Sequence, residues 1–328
     1  MDGTLNHIFC FGMGFSSRHL ATRLAQRGWR VTGTSRSSAG AAAIRDQGYN
    51  ALVFDGAALP ANALQSVTHV VVSAPPGPGG DPVLAGAAAA LRQQAGQIRW
   101  LGYLSTTGVY GDRRGEWVTE DSPLAPHTDR GQRRLAAETA WLGFGADTGI
   151  PVHLFRLAGI YGPGRNQLLS VLDGSARRII KPGQVFSRIQ VEDIATALQA
   201  SIDRPSPGRA YNVCDDEPCP PEEVIAYAAQ RTRASETERE RQEVGEDADV
   251  PPDEEVDGVP GALPSFEGHL LGLPGVVAAP GDRDLPVRLD GVDQGEAGRG
   301  VEALPLAAVL RTPGLPLGQV AEAGDHDQ

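Results

Sequence analysis

The sequence predicts an α/β protein: a doubly wound parallel sheet over residues 1–232, followed by a largely irregular, acidic C-terminal tail over 233–328. Three observations predict it. From His7 to about Ala229, short β-rich apolar runs alternate with Ala/Leu/Arg segments of helical length. Those runs lack a polar alternate face, so they suit strands covered by helices on both sides. Near residue 233 the periodicity fades and the charge balance changes. Of the 41 acidic residues 21 lie in 233–328, against 7 of the 29 basic ones, a net of −14 there and +2 for residues 1–232.

The elements follow in order. "HIFCF" (7–11) is a buried strand, and "SSRHLATRLAQRG" (16–28) is a segment of helical length. "WRVTGTS" (29–35), "YNALVFD" (49–55) and "HVVVSAP" (69–75) are further strands, bounded by Gly, Pro or polar turns. "DPVLAGAAAALRQQAG" (81–96) has helical length, and "RWLGYLST" (99–106) and "PVHLFRLAG" (151–159) complete six strands. "VEDIATALQASI" (191–202) and "PPEEVIAYAAQ" (220–230) are later helices, the second with proline and acids in its first turn.

"RASETERERQEVGEDADVPPDEEVDG" (233–258) is a charge run, followed by Gly, Pro and Asp at irregular spacing with no repeat. Residues 233–328 are expected to be mostly disordered, since a loop of that length does not suit a compact domain. The alternative is a frame-shifted C-terminus. Coding DNA rich in G and C favours Ala, Gly, Pro and Arg over Lys and can stay open in a shifted frame; the DNA sequence decides between the two.

Composition narrows the function. Three cysteines make no disulfide framework, and the chain enters its first apolar run without a basic leader. No apolar stretch is long enough for a membrane span, and no basic footprint suits nucleic acid. A cytoplasmic protein acting on a small molecule is expected, with no nucleic-acid or membrane partner; monomer and dimer remain open. No metal is expected: Cys214 and Cys219 in "CDDEPC" have no second pair and no suitably placed histidine.

"CFGMGFSSRHLA" places Gly12, Gly14 and Ser17 at G-x-G-x-x-S between the first strand and the first helix. Gly12 permits the tight turn and Gly14 lets a pyrophosphate approach the backbone. The amides of Phe15, Ser16 and Ser17 then face its charge, as in a Rossmann-like dinucleotide site. At the end of the second strand an NAD site usually has an acid for the ribose 2′-hydroxyl. Thr34, Ser35 and Arg36 stand there instead. A guanidinium suits a 2′-phosphate, so NADP is preferred over NAD. Asp55 and Gly56 end the third strand, near the adenine. Ser73, Ala74 and Pro75 end the fourth, near the nicotinamide ribose.

"YLSTTGVYGD" (103–112) follows the fifth strand and "RLAGIYGPGRN" (156–166) the sixth. With "SAPPG", "RIQVEDIA" and the glycine fingerprint, they resemble the extended and atypical short-chain dehydrogenase/reductase superfamily. The likeness is to its NAD-dependent epimerase/dehydratase group, most closely a small bacterial atypical branch, and covers about residues 6–231. It implies a Rossmann fold, a nicotinamide cofactor and often a nucleotide-sugar or other polyol substrate. In active members a helix after the fifth strand carries Tyr-x-x-x-Lys and then Ala-Glu. The tyrosine exchanges a proton with the substrate hydroxyl. The lysine lowers its pKa and binds the nicotinamide ribose.

Laid on this chain, the motif falls on "RGQRRLAAE". Arg130 takes the tyrosine position and Arg134 the lysine position, with Ala137 and Glu138 in step. The sole lysine, Lys181, lies elsewhere, so no shifted register restores the dyad. Arg134 keeps a positive charge for the ribose, whereas Arg130 cannot act as a base. The remaining candidates are Ser105, Thr106 and Thr107 as hydrogen-bonding hydroxyls and Tyr110 or Tyr161 as a phenol. Tyr110 also reads as a packing residue, since nothing nearby in sequence lowers its pKa. Arg165 and Arg188 are candidates for gripping an anionic substrate, or are solvated charges. Glu192 and Asp193 suit a helix start. Two functions follow: an NADP-dependent oxidoreductase or epimerase-like enzyme on a small polar substrate, altered in its catalytic pair, or a non-catalytic NADP(H) sensor of the same fold.

Overall fold

The computed structural model describes residues 6–60, 62–243, 276–277 and 320–321, with side chains described as far as Arg233. The front half runs β1 (His7–Phe11), α1 (Phe15–Gln26), β2 (Arg30–Ser35), α2 (Ser38–Asp46), β3 (Asn50–Val53), β4 (His69–Val72), α3 (Pro82–Gln93) and β5 (Trp100–Thr106). A 3-10 turn (Thr107–Tyr110) and β6 (Trp117–Val118) lead into α4 (Asp129–Thr148) and β7 (Val152–Leu157). Then come β8 (Gly159–Tyr161), α5 (Gln167–Leu172), β9 (Arg188–Gln190), α6 (Val191–Asp203), β10 (Ala210–Cys214) and α7 (Pro221–Glu243). The dipeptide strands β11 (Val276–Val277) and β12 (Val320–Ala321) complete the described elements.

The main sheet is ordered β3-β2-β1-β4-β5-β7-β10-β11. The strands from β3 to β10 are parallel, and β11 adds antiparallel to β10. Chain order reverses at β1, which has β2 on one side and β4 on the other. Folds with this strand order bind ligands beyond the carboxyl ends of the strands at such a reversal, here those of β1 and β4. Both sheet faces are dry. One core joins Ile8, Cys10, Leu20, Leu24, Trp100, Phe155, Ile194 and Leu198 under α1 and α6. The other joins Phe9, Phe11, Val83, Leu91, Tyr103, Trp141 and Leu154 under α3 and α4. This two-sided burial explains the uniformly apolar strands: every residue of β1 and β7 is buried.

Helix ends obey their local chemistry. Asp81 accepts hydrogen bonds from the Val83 and Leu84 amides at 2.9 and 3.1 Å, with Pro82 at the first helical position. Thr128 caps α4, and Gly149 closes it in the left-handed region at φ 77°.

The structure departs from the expected organisation in three places. A seventh parallel strand, β10, joins the sheet; "AYNVC" interrupts its apolar run with Asn212, which blurs the strand signal. "GIY" and "RIQ" pair as β8 and β9 in a separate small sheet that lies outside the six strands read from the sequence. Finally, α7 runs through the expected boundary at 232/233 to Glu243, because "RASETERERQE" is built of good helix formers despite its charge. The expected irregular tail otherwise lies outside the described residues.

Candidate active site

At the β1–α1 turn Gly12 adopts φ +87°, a conformation that strains any residue with a Cβ. Its amide donates to Thr34 Oγ1 at 2.8 Å, and its carbonyl accepts from Ser73 Oγ at 2.6 Å. A Cβ on Gly12 would stand 2.9 Å from Ser73 Oγ. The turn is thus stitched to β2 and β4 on either side. Gly14 is the N-cap of α1 and provides no side-chain cap, and a Cβ built on it meets nothing within 4 Å. The first amides of α1 are left to a ligand or water, with no acid in the first turn to repel an anion. Ser16 and Ser17 are buried beneath them, and Ser17 Oγ has no hydrogen-bond partner. These features fit a pyrophosphate held by backbone amides.

Ser35 ends β2, and exposed Arg36 follows it. Ser37 then caps α2, accepting from the Gly40 amide at 3.2 Å. Asp55 turns its carboxylate back to its own loop, accepting from the Ala57 amide at 3.0 Å, while Gly56 sits at φ +102°. Ser73 lies at the expected strand end, but its hydroxyl is spent on Gly12. Its contribution is to brace the glycine turn, whereas Ala74 and Pro75 line the strand end beside it.

The reaction end rests on α4 and β5. Arg130 is exposed on the first turn of α4. Arg134 Nη1 donates to the Leu104 carbonyl at 2.8 Å and to Tyr103 Oη at 3.3 Å, with its guanidinium 5.9 Å from the Tyr103 ring centre. A fixed cation therefore sits at the end of β5. Burial pushes the Tyr103 phenol up to about 12, with Arg134 opposing.

Ser105, contrary to expectation, and Tyr110, in line with its packing alternative, are buried. Ser105 is buried and donates to Glu138 Oε1 at 2.5 Å. Arg156 Nη2 pairs with Glu138 Oε2 at 2.9 Å, and Arg156 Nη1 donates to Tyr110 Oη at 2.8 Å. Tyr110 in turn donates to Asn212 Oδ1 at 2.7 Å. Burial raises the Tyr110 pKa, with Arg156 opposing. Both hydroxyls are consumed in a buried network, so Tyr110 is a packing residue. Thr106 accepts from the Gly108 amide at 3.2 Å, and Thr107 is buried. Glu138, Arg156 and Asn212 escaped sequence reasoning as a unit; the one local signal was a lone arginine within the apolar run "VHLFRL".

Tyr161 is buried, and its hydroxyl donates to Asp215. Burial, then the Asp215 charge, raises its pKa. Burial also pushes the Asp215 carboxyl up to about 7, opposed by the Tyr161 hydrogen bond and reinforced by Asp193. Arg188 is committed to the Phe186 carbonyl at 3.2 Å and to Cys219 Sγ at 3.1 Å, so it is not a free grip for an anion. Arg165 is exposed, its guanidinium 5.8 Å from the Phe15 ring centre. Glu192 and Asp193 open α6, as expected of a helix start.

Among the described residues no His, Cys, Asp and Glu group is arranged to hold a metal, and no helix is long and apolar enough to cross a membrane. A groove of about 610 Å³ runs between α1 and α6. Much of its lining pairs with itself: His19 with Glu192 at 2.5 Å, Arg23 with Gln199 at 2.8 Å. It is a helix–helix seam, lined by α1 and its C-cap, from Arg18 to Arg27, and by Glu192 and Gln199 of α6.

Comparison with known proteins adds three likenesses and a family. Residues 85–214 match the family described as "NAD dependent epimerase/dehydratase family". The chain is 29% identical over 234 residues to protein YeeZ of Escherichia coli K12, covering 64% of this chain and 78% of that protein. It is 52% identical to a functionally unknown conserved protein from Silicibacter pomeroyi DSS, at a TM-score of 0.63, covering 69% of this chain and 77% of that one. A dTDP-glucose 4,6-dehydratase from Bacillus anthracis str. Ames, solved in complex with NAD, is 18% identical at a TM-score of 0.56, covering 69% and 80%. That last likeness concerns the fold alone.

Proposed function

The chain belongs to the NAD dependent epimerase/dehydratase family, and from that premise we propose that it binds a nicotinamide dinucleotide, NADP in preference to NAD, at the β1–α1 turn. The observation that carries the reading is the uncapped start of α1 behind Gly12 and Gly14, open at the point where strand order reverses. The backbone amides of Phe15, Ser16 and Ser17 hold the pyrophosphate there. Arg36, exposed after β2 with Ser35 and Ser37 beside it, takes the ribose 2′-phosphate. Asp55 and Gly56 border the adenine; Ala74 and Pro75 border the nicotinamide ribose, as does Arg134. The nicotinamide ring supplies hydride transfer when the cofactor is bound.

The activity proposed is oxidoreductase or epimerase-like, on a small polar substrate such as a nucleotide sugar, in a cytoplasmic protein. Thr106 hydrogen-bonds the reacting oxygen, and Arg134 stabilises negative charge on it. The two positions of the family's proton-transferring pair fall on Arg130 and Arg134, and a guanidinium offers donors but no acceptor for a substrate proton. That replacement, with Ser105 and Tyr110 consumed internally, supports a second reading: a non-catalytic NADP(H) sensor.

A thermal-shift comparison of NADP, NAD and free protein tests the binding. A ligand at a hundred times its Kd adds about 2.7 kcal/mol to the native state. No stabilisation at millimolar nucleotide overturns the proposal. Consumption of NADPH with carbonyl or nucleotide-sugar panels supports the enzyme; tight binding without turnover supports the sensor.

A further inference from the structure

We infer that Arg165 is a cofactor-positioning residue: its guanidinium closes over the pyrophosphate bound at the start of α1, across from the backbone amides. The inference rests on the dinucleotide reading above and deepens it. It moves Arg165 from the substrate, its expected ligand, to the cofactor.

Phe15 is the first residue of α1, and Arg165 lies against its ring face with 5.8 Å between guanidinium carbon and ring centre. The contact is built rather than incidental. Gly162 and Arg165 exchange two backbone hydrogen bonds, at 2.9 and 3.0 Å, closing a tight turn. Asn166 Nδ2 donates to the Gly162 carbonyl at 3.1 Å and fixes the turn to α5. The turn docks so closely that a Cβ on Gly162 would stand 2.6 Å from Val191 Cγ1 and 3.3 Å from Phe15 Cζ. The segment bearing Arg165 is therefore seated on the residue whose amide begins the anion-binding turn.

Arg165 is also uncommitted. Among the described residues no carboxylate forms an ion pair with it. By contrast, Arg188 is tied to Phe186 and Cys219. A pyrophosphate carries more negative charge than the partial positive charge of a helix N-terminus offsets. A guanidinium over the same turn supplies the remainder in charge-assisted hydrogen bonds. The ring face of Phe15 holds it there without neutralising it.

The test measures Kd for NADP, NAD, ADP-ribose and adenosine 2′-monophosphate in wild type, Arg165→Ala and Arg36→Ala, with melting temperatures as the fold control. Arg165→Ala weakens NADP, NAD and ADP-ribose alike by about tenfold, the loss of one charge-assisted phosphate contact. It leaves the 2′-monophosphate, which lacks a pyrophosphate, unchanged. Arg36→Ala weakens NADP and the 2′-monophosphate and spares NAD. Wild-type binding with no change in Arg165→Ala overturns this inference alone. A wild type that binds none of the dinucleotides overturns the underlying reading and this inference with it.

Discussion

Glu138 of α4 and Arg156 of β7 form an ion pair inside the protein, with Nη2 to Oε2 at 2.9 Å and side chains 2% and 6% exposed. Arg156 Nε also lies 3.3 Å from both carboxylate oxygens, and the remaining donors reach Tyr110 and the Glu120 carbonyl. The pair locks α4 to the sheet one helical turn beyond Arg134. Removing one partner leaves the other charge buried and alone, which costs about 3–5 kcal/mol. Chemical denaturation of Glu138→Leu and Arg156→Met is expected to show that loss in each. The double variant, which leaves no orphan charge, is expected to recover most of it. A double variant no more stable than the singles contradicts the account.

Gly12 tests the glycine turn. Gly12→Ala places a Cβ at φ +87° and 2.9 Å from Ser73 Oγ. Strain of about 1–3 kcal/mol is expected, together with loss of nucleotide-dependent stabilisation in a thermal-shift titration. Gly14→Ala meets no neighbouring atom, so it is expected to keep the melting temperature near wild type yet weaken the nucleotide.

Arg130 and Arg134 on α4 are expected to behave differently. Arg130 is exposed, and Arg130→Ala should change stability by less than about 0.5 kcal/mol. Arg134→Ala frees the Leu104 carbonyl and uncovers Tyr103, at a cost of about 1–2 kcal/mol. Equal effects in denaturant melts contradict the assignment of Arg134 as the fixed cation.

Asp215 gives a pH signature. Its folded-state pKa stands near 7 against an ordinary 3.8, so between those values the native state binds the proton that the unfolded chain releases. Its contribution to stability is therefore present below the ordinary value and is lost as pH rises through about 7. Asp215→Asn keeps an oxygen to accept from Tyr161 and removes the cost of ionisation. The variant is expected to gain stability over wild type on going from pH 5 to pH 8. A constant difference across that range contradicts it.

His7 and His69 act on the acid side. Both are buried, and burial pushes each pKa down from 6.5 to about 4. The unfolded chain therefore binds protons that the native state refuses, and stability falls as pH drops from 6.5 toward 4, levelling off below that. Melting temperatures from pH 7 to pH 4.5 are expected to fall less in His7→Gln than in wild type. His7 Nε2 lies 2.8 Å from Thr32 Oγ1, a bond that glutamine can also make.

How much of this was legible beforehand depended on distance along the chain. The glycine turn at Gly12 and Gly14 was readable because a strand–turn–helix is local: backbone sterics and helix-end chemistry act within a few residues. Six strands were readable because burial on both faces leaves a continuous apolar run, whereas β10 hid behind Asn212. That Lys181 is the single lysine was determined by the sequence alone. The fate of the surrounding hydroxyls was not. Ser105 and Tyr110 were plausible catalysts in isolation, and only the fold brought Glu138, Arg156 and Asn212 to their oxygens. Arg165 reaches Phe15 only because β8 and its turn dock on α1. Hydrogen bonding and packing are short-ranged, so groups far apart in sequence acquire their chemistry only when the folded chain selects their neighbours.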